Sequence, residues 1–194
     1  MPRMPVIAPG AMMRLVAFNG SLRKNGNTSA ILREIVALAE KKGIETQYFD
    51  LADLQISDCK GCQSCKTGQT CAQKDDMAAV IEAMQGADFV LLGLPVYMGD
   101  ETGLMKCMAD RLYCLLAPGD GHSEYKTRLA PGKRVMLLMT CGTPNGDKLY
   151  NYILTRYFRL LVKLLEFDDF HSYIIGGVDP DGDVRKMIQT KGAL

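Results

Sequence analysis

Along the 194-residue chain, short runs of consecutive apolar residues alternate with longer stretches in which apolar positions return every three or four residues. The short runs predict strands at Leu15 to Phe18, Gln47 to Phe49, Phe89 to Leu94, Arg134 to Met139 and Phe170 to Ile175. Runs such as "DFVLLGL" and "RVMLLM" are continuous rather than alternating, the pattern of strands covered on both faces in a parallel sheet. The intervening stretches predict the covering helices. From Thr28 to Lys42, Ile31, Leu32, Ile35 and Leu38 form an apolar face, and Gly43 offers a stop. Met77, Val80, Ile81 and Met84 form a second face after an acidic "KDD" opening. Thr102 can cap a third helix carrying Leu104, Met108, Leu112 and Leu115 inward, and Leu149, Ile153, Tyr157, Leu160 and Leu164 mark a fourth. A short fifth covers Val184 to Thr190, and the linker "APGDGHSEYKTRLAPGK" reads as a long surface loop.

Strand and helix in strict alternation predict an α/β fold: a doubly wound, three-layer sandwich around a five-stranded parallel sheet of order 2-1-3-4-5. Ligands of such sheets sit at the carboxyl ends of the strands, beside the point where strand order reverses. The loops after strands one, three and four are therefore the places to search.

Composition narrows the class. With 47% apolar and 23% charged residues the chain suits one globular domain, expected over residues 12–194, preceded by a flexible extension over 1–11. Lys and Arg number 23 against 22 Asp and Glu, so no global field favours nucleic acid or an anionic membrane. No stretch approaches the roughly 20 apolar residues of a membrane span, and the expected location is the cytoplasm. Thiols there stay reduced, so clustered cysteines more often bind metal or react than form disulfides.

Strand one runs into "NGSLRKNGNTSA". Ser21, Asn25, Asn27, Thr28 and Ser29 carry hydrogen-bonding groups, glycines permit close backbone approach, and a helix begins there, an arrangement suited to a phosphate monoester. Arg23 adds a guanidinium able to fork onto phosphate oxygens. Strand three leaves through "LPVYMGDETGLMK", where Pro95, Val96, Tyr97, Met98 and Gly99 can lie along a planar ligand, with amides from Val96 to Gly99 on its polar edge and Tyr97 stacked. Strand four leaves through "TCGTPNG", bringing Thr140, Cys141 and Gly142 to the same rim. A phosphate pocket beside a flat slot describes a mononucleotide with an extended ring system, which FMN satisfies.

Four of the seven cysteines fall in "DCKGCQSCKTGQTC": Cys59, Cys62, Cys65 and, five residues later, Cys71. Three successive three-residue steps are closer to an iron–sulfur pattern than to the two separated CxxC pairs of structural zinc, with four reduced, metal-free thiols as the plain alternative. Gly61 and Gly68 permit tight wrapping, and Lys60 and Lys66 would offset thiolate charge. Cys107 and Cys114, seven apart on helix three, read as small buried hydrophobes, as does Cys141 apart from its place on the rim. His122 and His171 are not placed as catalytic bases, and "DPDGDV" fails the calcium-loop pattern at its sixth position, Val184.

Together "GSLRKNGNTS", "LPVYMGDETGLMKCMADR" and "CKGCQSCKTGQTCAQKDDM" resemble the NAD(P)H-dependent FMN reductase-like branch of the flavodoxin-like fold, and within it the iron–sulfur flavoproteins. The resemblance runs from Met13 to about Asp183. It implies that Ser21, Arg23, Asn27, Thr28 and Ser29 hold the FMN phosphate, that Pro95 to Gly99 flank the isoalloxazine, and that Cys59, Cys62, Cys65 and Cys71 bind a [4Fe-4S] cluster. It further implies electrons from NAD(P)H or a ferredoxin-like donor, an acceptor not yet identified, and a homodimer or homotetramer paired over the flavin. The flavin would carry the chemistry without a side-chain acid or base. Two other readings stand beside it: a cluster-free NAD(P)H-dependent FMN or quinone reductase, and a non-enzymatic FMN electron-transfer protein.

Overall fold

The computed structural model describes residues 12–68, 70–119 and 124–179, together with Val184. The expected extension at 1–11, His122, residues 180–183 of "DPDGDV" and the fifth helix beyond Val184 lie outside the described residues. In chain order the elements are β1 (Arg14–Asn19), α1 (Asn27–Lys41), β2 (Glu45–Asp50), the one-turn α2 (Ser64–Thr67), α3 (Met77–Gly86) and β3 (Phe89–Pro95). There follow α4 (Gly103–Arg111), β4 (Leu116–Pro118), β5 (Tyr125–Thr127), β6 (Arg134–Thr140), α5 (Gly146–Leu149), α6 (Asn151–Phe158) and β7 (Asp169–Ile175). The five long strands form one sheet in the order β2-β1-β3-β6-β7, every neighbouring pair parallel. Allowing for two short extra strands in the numbering, this is the expected order 2-1-3-4-5.

Two apolar layers hold the sheet. Val16 and Phe18 of β1 point to one face and pack with Met77, Val80 and Met84 of α3, Met105 and Met108 of α4, and Ile153 and Tyr157 of α6. Ala17, between them, points to the other face, where Ile31, Leu32 and Val36 of α1 meet Leu91, Leu138 and Val184. The alternation follows from the two-residue period of a strand, and the double covering is why the strand sequences are continuously apolar. β1 and β3 carry the reversal of strand order, so their carboxyl ends open a cleft.

Four local expectations are corrected. Leu38 is half exposed while Val36 and Ala39 are buried, because at 100° per residue Leu38 lies roughly 120° around the helix from Leu32, the centre of the buried stripe. The fourth helix is not continuous: Tyr150 separates α5 from α6, and Arg159–Leu164 winds as a π-helix. Leu149, at the end of the separate α5, faces solvent, and the wider winding changes the phase so that Leu164 does too while Leu161 and Leu165 enter the core. The third helix ends at Arg111, and Leu112–Leu115 continues as a tighter 3-10 turn. The supposed surface linker contains the antiparallel pair β4 and β5, buries Leu129, and places Lys133 Nζ on the carbonyls of Gln85 (2.7 Å) and Ala87 (2.5 Å) at the end of α3.

Gly93, in β3, faces Leu32 of α1 so closely that an added Cβ would lie 2.4 Å from Leu32 Cδ1 and 2.7 Å from Cγ. Leu32 is fully buried and has nowhere to retreat. Gly93→Ala is expected to lower stability by about 1–3 kcal/mol through overpacking, read as a lower urea midpoint with an unchanged denaturant slope.

Candidate functional site

The loop after β1 is built from its own side chains. Buried Asn19 donates from Nδ2 to Ser29 Oγ (2.8 Å) and to Asp50 Oδ1 (2.6 Å), and its Oδ1 accepts from the Ser21 amide (3.1 Å). Ser21 Oγ accepts from the Arg23 amide, and Ser29 Oγ donates to the Arg23 carbonyl (2.8 Å). Ser29 is therefore a strut beneath the loop, its hydroxyl committed on both sides. Asn27 is likewise engaged, donating to the Asp179 carbonyl (2.7 Å) and accepting from the Val184 amide (3.2 Å). The side chains that face outward are those of Leu22, Arg23, Lys24 and Asn25. α1 begins at Gly26, which supplies no side-chain cap, and carries no acidic residue in its first turn, so the positive end of a 15-residue helix meets the cleft unneutralised.

The other two loops close on the same place. Thr28 Oγ1 and Thr140 Oγ1 lie 2.7 Å apart and buried, pinning the first loop to the end of β6. Ser21, Arg23, Gly26, Asn27 and Thr28 share a cleft of about 90 Å³ with Pro95, Val96, Tyr97, Thr140, Cys141 and Gly142. Ten of the fourteen expected flavin-site positions line this cleft; Asn25, Ser29, Met98 and Gly99 do not, whereas Gly26 and Val178 do. Burial pushes the Cys141 thiol up from its ordinary pKa, the Thr143 backbone opposing, so it sits in the wall as a neutral group.

The β3 loop turns at its tip. Tyr97 and Asp100 exchange both backbone hydrogen bonds (2.9 and 3.0 Å), and Met98 (φ 49°) and Gly99 (φ 86°) occupy the two central positions with positive φ. That is a type I′ turn, unusual for methionine, and it leaves Met98 fully exposed. The expectation that every amide from Val96 to Gly99 faces a ligand is corrected here. Val96 N donates to Thr140 O (2.8 Å) and Tyr97 N to Asp100 O, which leaves the tip amides of Met98 and Gly99. α6 braces the turn: Tyr152 Oη donates to Gly99 O, and Arg156 pairs with Asp100 (2.8 Å) and Glu101.

Beside this rim lies the cysteine loop. Cys59, Cys62, Cys65 and Cys71 line one small cavity together with Arg111, Tyr113 and Cys114. Among the described residues, no three Cys, His, Asp or Glu side chains converge as ligands of a single ion. Left-handed Gly61 (φ 64°) and Gln63 (φ 61°) wrap the loop, and α2 supplies its one helical turn. The hydroxyl and amide of Ser64 hold the Cys62 thiol below its ordinary pKa. Lys66 is not a loose counter-charge: its Nζ donates to the carbonyls of Tyr113 (2.6 Å) and Leu116 (2.5 Å) and lies 3.4 Å from the Tyr113 ring centre. Desolvation lowers its pKa.

Several residues that hold this loop carry no motif. Arg111, 1% exposed, donates to both oxygens of Asp75 (2.7 and 2.8 Å), to Ser57 O (2.7 Å) and to Cys71 Sγ (3.4 Å). Arg128, from the supposed linker, donates to the carbonyls of Cys114 (2.7 Å), Cys65 (3.0 Å) and Gly68 (3.2 Å). The acidic "KDD" opening serves the loop as well, since Asp76 accepts from Gln55 N (2.7 Å) and Asp75 from Ser57 N (3.1 Å). Cys107 is no inert hydrophobe: its thiol donates to Asp58, a bond that, with burial, pushes its pKa up to about 11. Cys114 is buried as expected yet forms part of the cysteine cavity, where desolvation and then Cys71 and Cys65 raise it to about 11. The signal for Arg111 was available: it stands three residues after Met108 and four before Leu115, a charge on an apolar stripe.

One helix joins the two regions. Thr102 caps α4 by accepting from Met105 N (3.3 Å) and donates to Gly20 O (2.7 Å) in the first loop, while Arg111 at the far end holds the cysteine loop.

Residues 13–169 match the family described as NADPH-dependent FMN reductase. An iron–sulfur flavoprotein of Archaeoglobus fulgidus is 43% identical over 99 residues, 51% of this chain and 48% of the relative. One from Methanocaldococcus jannaschii is 38% identical over 137 residues, 70% of this chain and 65% of the relative. At the first of these matches and others like it, the chain spans about half the length of the curated relatives. Among solved structures, an NAD(P)H:quinone oxidoreductase from Methanothermobacter marburgensis superimposes with a TM-score of 0.69 at 16% identity, over 94% of this chain and 93% of the other, a likeness of fold.

The Arg111 hydrogen bonds hold the Asp75 carboxyl below its ordinary 3.8, against burial. A depressed carboxylate pKa stabilises the folded state above the unfolded value, and that contribution disappears as pH falls through the lower folded value. Wild type is thus expected to exceed Asp75→Asn by about 3 kcal/mol at pH 5 to 8, with the difference shrinking below about pH 4. Urea unfolding of both proteins across pH checks this, and a difference independent of pH would contradict it.

Proposed function

The chain belongs to the NADPH-dependent FMN reductase family, and from that premise we propose that it is an FMN-dependent oxidoreductase of the iron–sulfur flavoprotein type. It would pass electrons between NAD(P)H or a ferredoxin-like donor and an acceptor still to be identified. The observation that carries this reading is the meeting of three loops, Ser21 to Thr28, Pro95 to Tyr97 and Thr140 to Gly142, in one cleft against the uncapped start of α1. Backbone amides at that helix start suit a phosphate, Arg23 at the cleft edge adds charge, and Tyr97 offers a ring face. FMN, when bound, supplies a centre able to take up a hydride's electron pair and to release electrons singly. The chain's share is to hold and orient it: the Thr28–Thr140 contact fixes the phosphate end against β6, and the braced I′ turn presents the Met98 and Gly99 amides.

The four-cysteine loop is what supports this reading over a cluster-free reductase. Four soft sulfur donors around one cavity fit an iron–sulfur cluster, as does a buried guanidinium lining that cavity. Arg111 Nε has no acceptor among the described residues, a deficit that an anionic, sulfide-rich group would relieve. Relatives named iron–sulfur flavoprotein give the same direction. A cluster of this kind supplies one-electron storage.

A homodimer is part of the proposal. Exposed Tyr97, Met98, Leu149 and Tyr152 place apolar surface beside the cleft, suited to a second subunit. Light scattering is expected to give a dimer or tetramer.

Anaerobic purification tests the whole reading. The expected protein contains FMN and about four iron and four sulfide per chain, and NADPH or NADH bleaches its flavin. FMN without iron would leave the cluster-free reductase, and no flavin at all would remove the proposal. A flavin indifferent to both nucleotides that exchanges electrons with a redox protein would leave the shuttle. Arg23→Ala is expected to weaken FMN about tenfold, roughly 1.4 kcal/mol, with iron content unchanged. Cys71→Ser should lose iron and keep FMN.

A further inference from the structure

Resting on the reading of the four thiols as cluster ligands, we propose that Arg111 tunes the centre's reduction potential, holding it above the value that four thiolates alone would give. Asp75 is then the counter-charge that positions the guanidinium and acts on the potential in the opposite sense. Arg111 is a positioning residue at the end of α4, with 1% of its side chain exposed, and it lines the same cavity as Cys59, Cys62, Cys65 and Cys71. Its Nη2 is shared between Cys71 Sγ (3.4 Å) and Asp75 Oδ1 (2.8 Å), and its Nη1 between Asp75 Oδ2 (2.7 Å) and Ser57 O (2.7 Å). The fork therefore has a fixed aim.

A guanidinium keeps its proton at any pH the fold survives, so this positive charge is permanent. One electron entering a four-thiolate cluster adds one unit of negative charge without changing any ligand. A fixed cation and an N–H···S hydrogen bond both favour that more negative state, and low dielectric strengthens both. Asp75, bound on the guanidinium's carboxylate-facing side, carries a charge that disfavours it. Lys66 and Arg128, the other cations nearby, are partly buried and hydrogen-bond backbone carbonyls, Lys66 also facing a tyrosine ring, so the Arg111 guanidinium is the charge seen in direct contact with a ligand sulfur. A purely structural tie between Ser57 and Asp75 would not need to touch Cys71.

The test is the midpoint potential of the anaerobically purified holoprotein, titrated with dithionite and followed by electron paramagnetic resonance of the reduced cluster, with flavin absorbance as internal control. Arg111→Gln is expected to shift the reduction equilibrium at least tenfold toward the oxidised cluster, about 59 mV for one electron. Asp75→Asn is expected to shift it toward the reduced cluster, with the flavin potential unmoved in both. Shifts of the same sign, or none, would overturn the proposal while leaving the cluster reading intact. Arg111→Lys keeps the charge without the fork and should fall between wild type and Gln. It and Asp75→Asn carry the test should the Gln variant lose iron. Wild-type protein without iron or sulfide would remove the cluster reading and this proposal with it.

Discussion

A guanidinium cannot give up its proton inside a protein, so burying Arg111 obliges the chain to surround it with acceptors. The acceptors supplied are the Ser57 carbonyl ahead of the cysteine loop, the Cys71 sulfur at its end and the Asp75 carboxylate just beyond. Among its described residues, the loop between Ser57 and Asp75 has one helical turn and no strand, too little backbone pairing to fix its own shape. Its conformation is set by the demands of two arginines outside it and a lysine within it. Arg128 takes the carbonyls of Cys65 and Gly68, and Lys66 reaches back to those of Tyr113 and Leu116. The cysteines are thus held by cations that had to be satisfied in any case.

The cleft on the sheet rim follows another logic. There the buried polar side chains mostly satisfy each other, and Arg23 and the backbone at the start of α1 are left toward the cleft. Asn19, Ser21 and Ser29 form a closed network under the first loop, and Asn27 ties it to the segment at Asp179 and Val184. A loop rigid before binding loses little entropy on binding, and amides at a helix start need no rotamer search. The same economy recurs at the β3 turn, where methionine is held at positive φ by two hydrogen bonds between Tyr97 and Asp100.

These differences set what could be read in the sequence. Strand order and the rim position of the three loops were legible, because continuous apolar runs and glycine-rich turns report local geometry directly. The roles of Ser29 and Asn27 were not, since a sequence shows which residues can hydrogen-bond but not which bonds are already spent inside the fold. Leu38, Leu149 and Leu164 misled for a related reason: small phase changes, one of them a π-helical turn, move a leucine off the buried stripe without altering the apparent period. Arg128 was hidden in a stretch whose glycines and prolines suggested only a surface loop, though β4 and β5 bring it back across the cysteines.

α4 turns two separately built loops into one arrangement. Nine residues of helix span about 13 Å, and their hydrogen-bonded backbone resists bending far more than a loop would. Thr102 fastens one end to the Gly20 carbonyl, where Met105 also presses within 3.0 Å of the space a Gly20 Cβ would occupy. Arg111 fastens the other to the cysteine loop, and Met105, Met108 and Leu112 bury the rod between them. The spacing of the two loops is therefore fixed by a rod seated in the core, not by the stretch of chain that joins β2 to α3. A change at either end must be absorbed locally or move the helix against fully buried methionines, and close packing makes the first far cheaper.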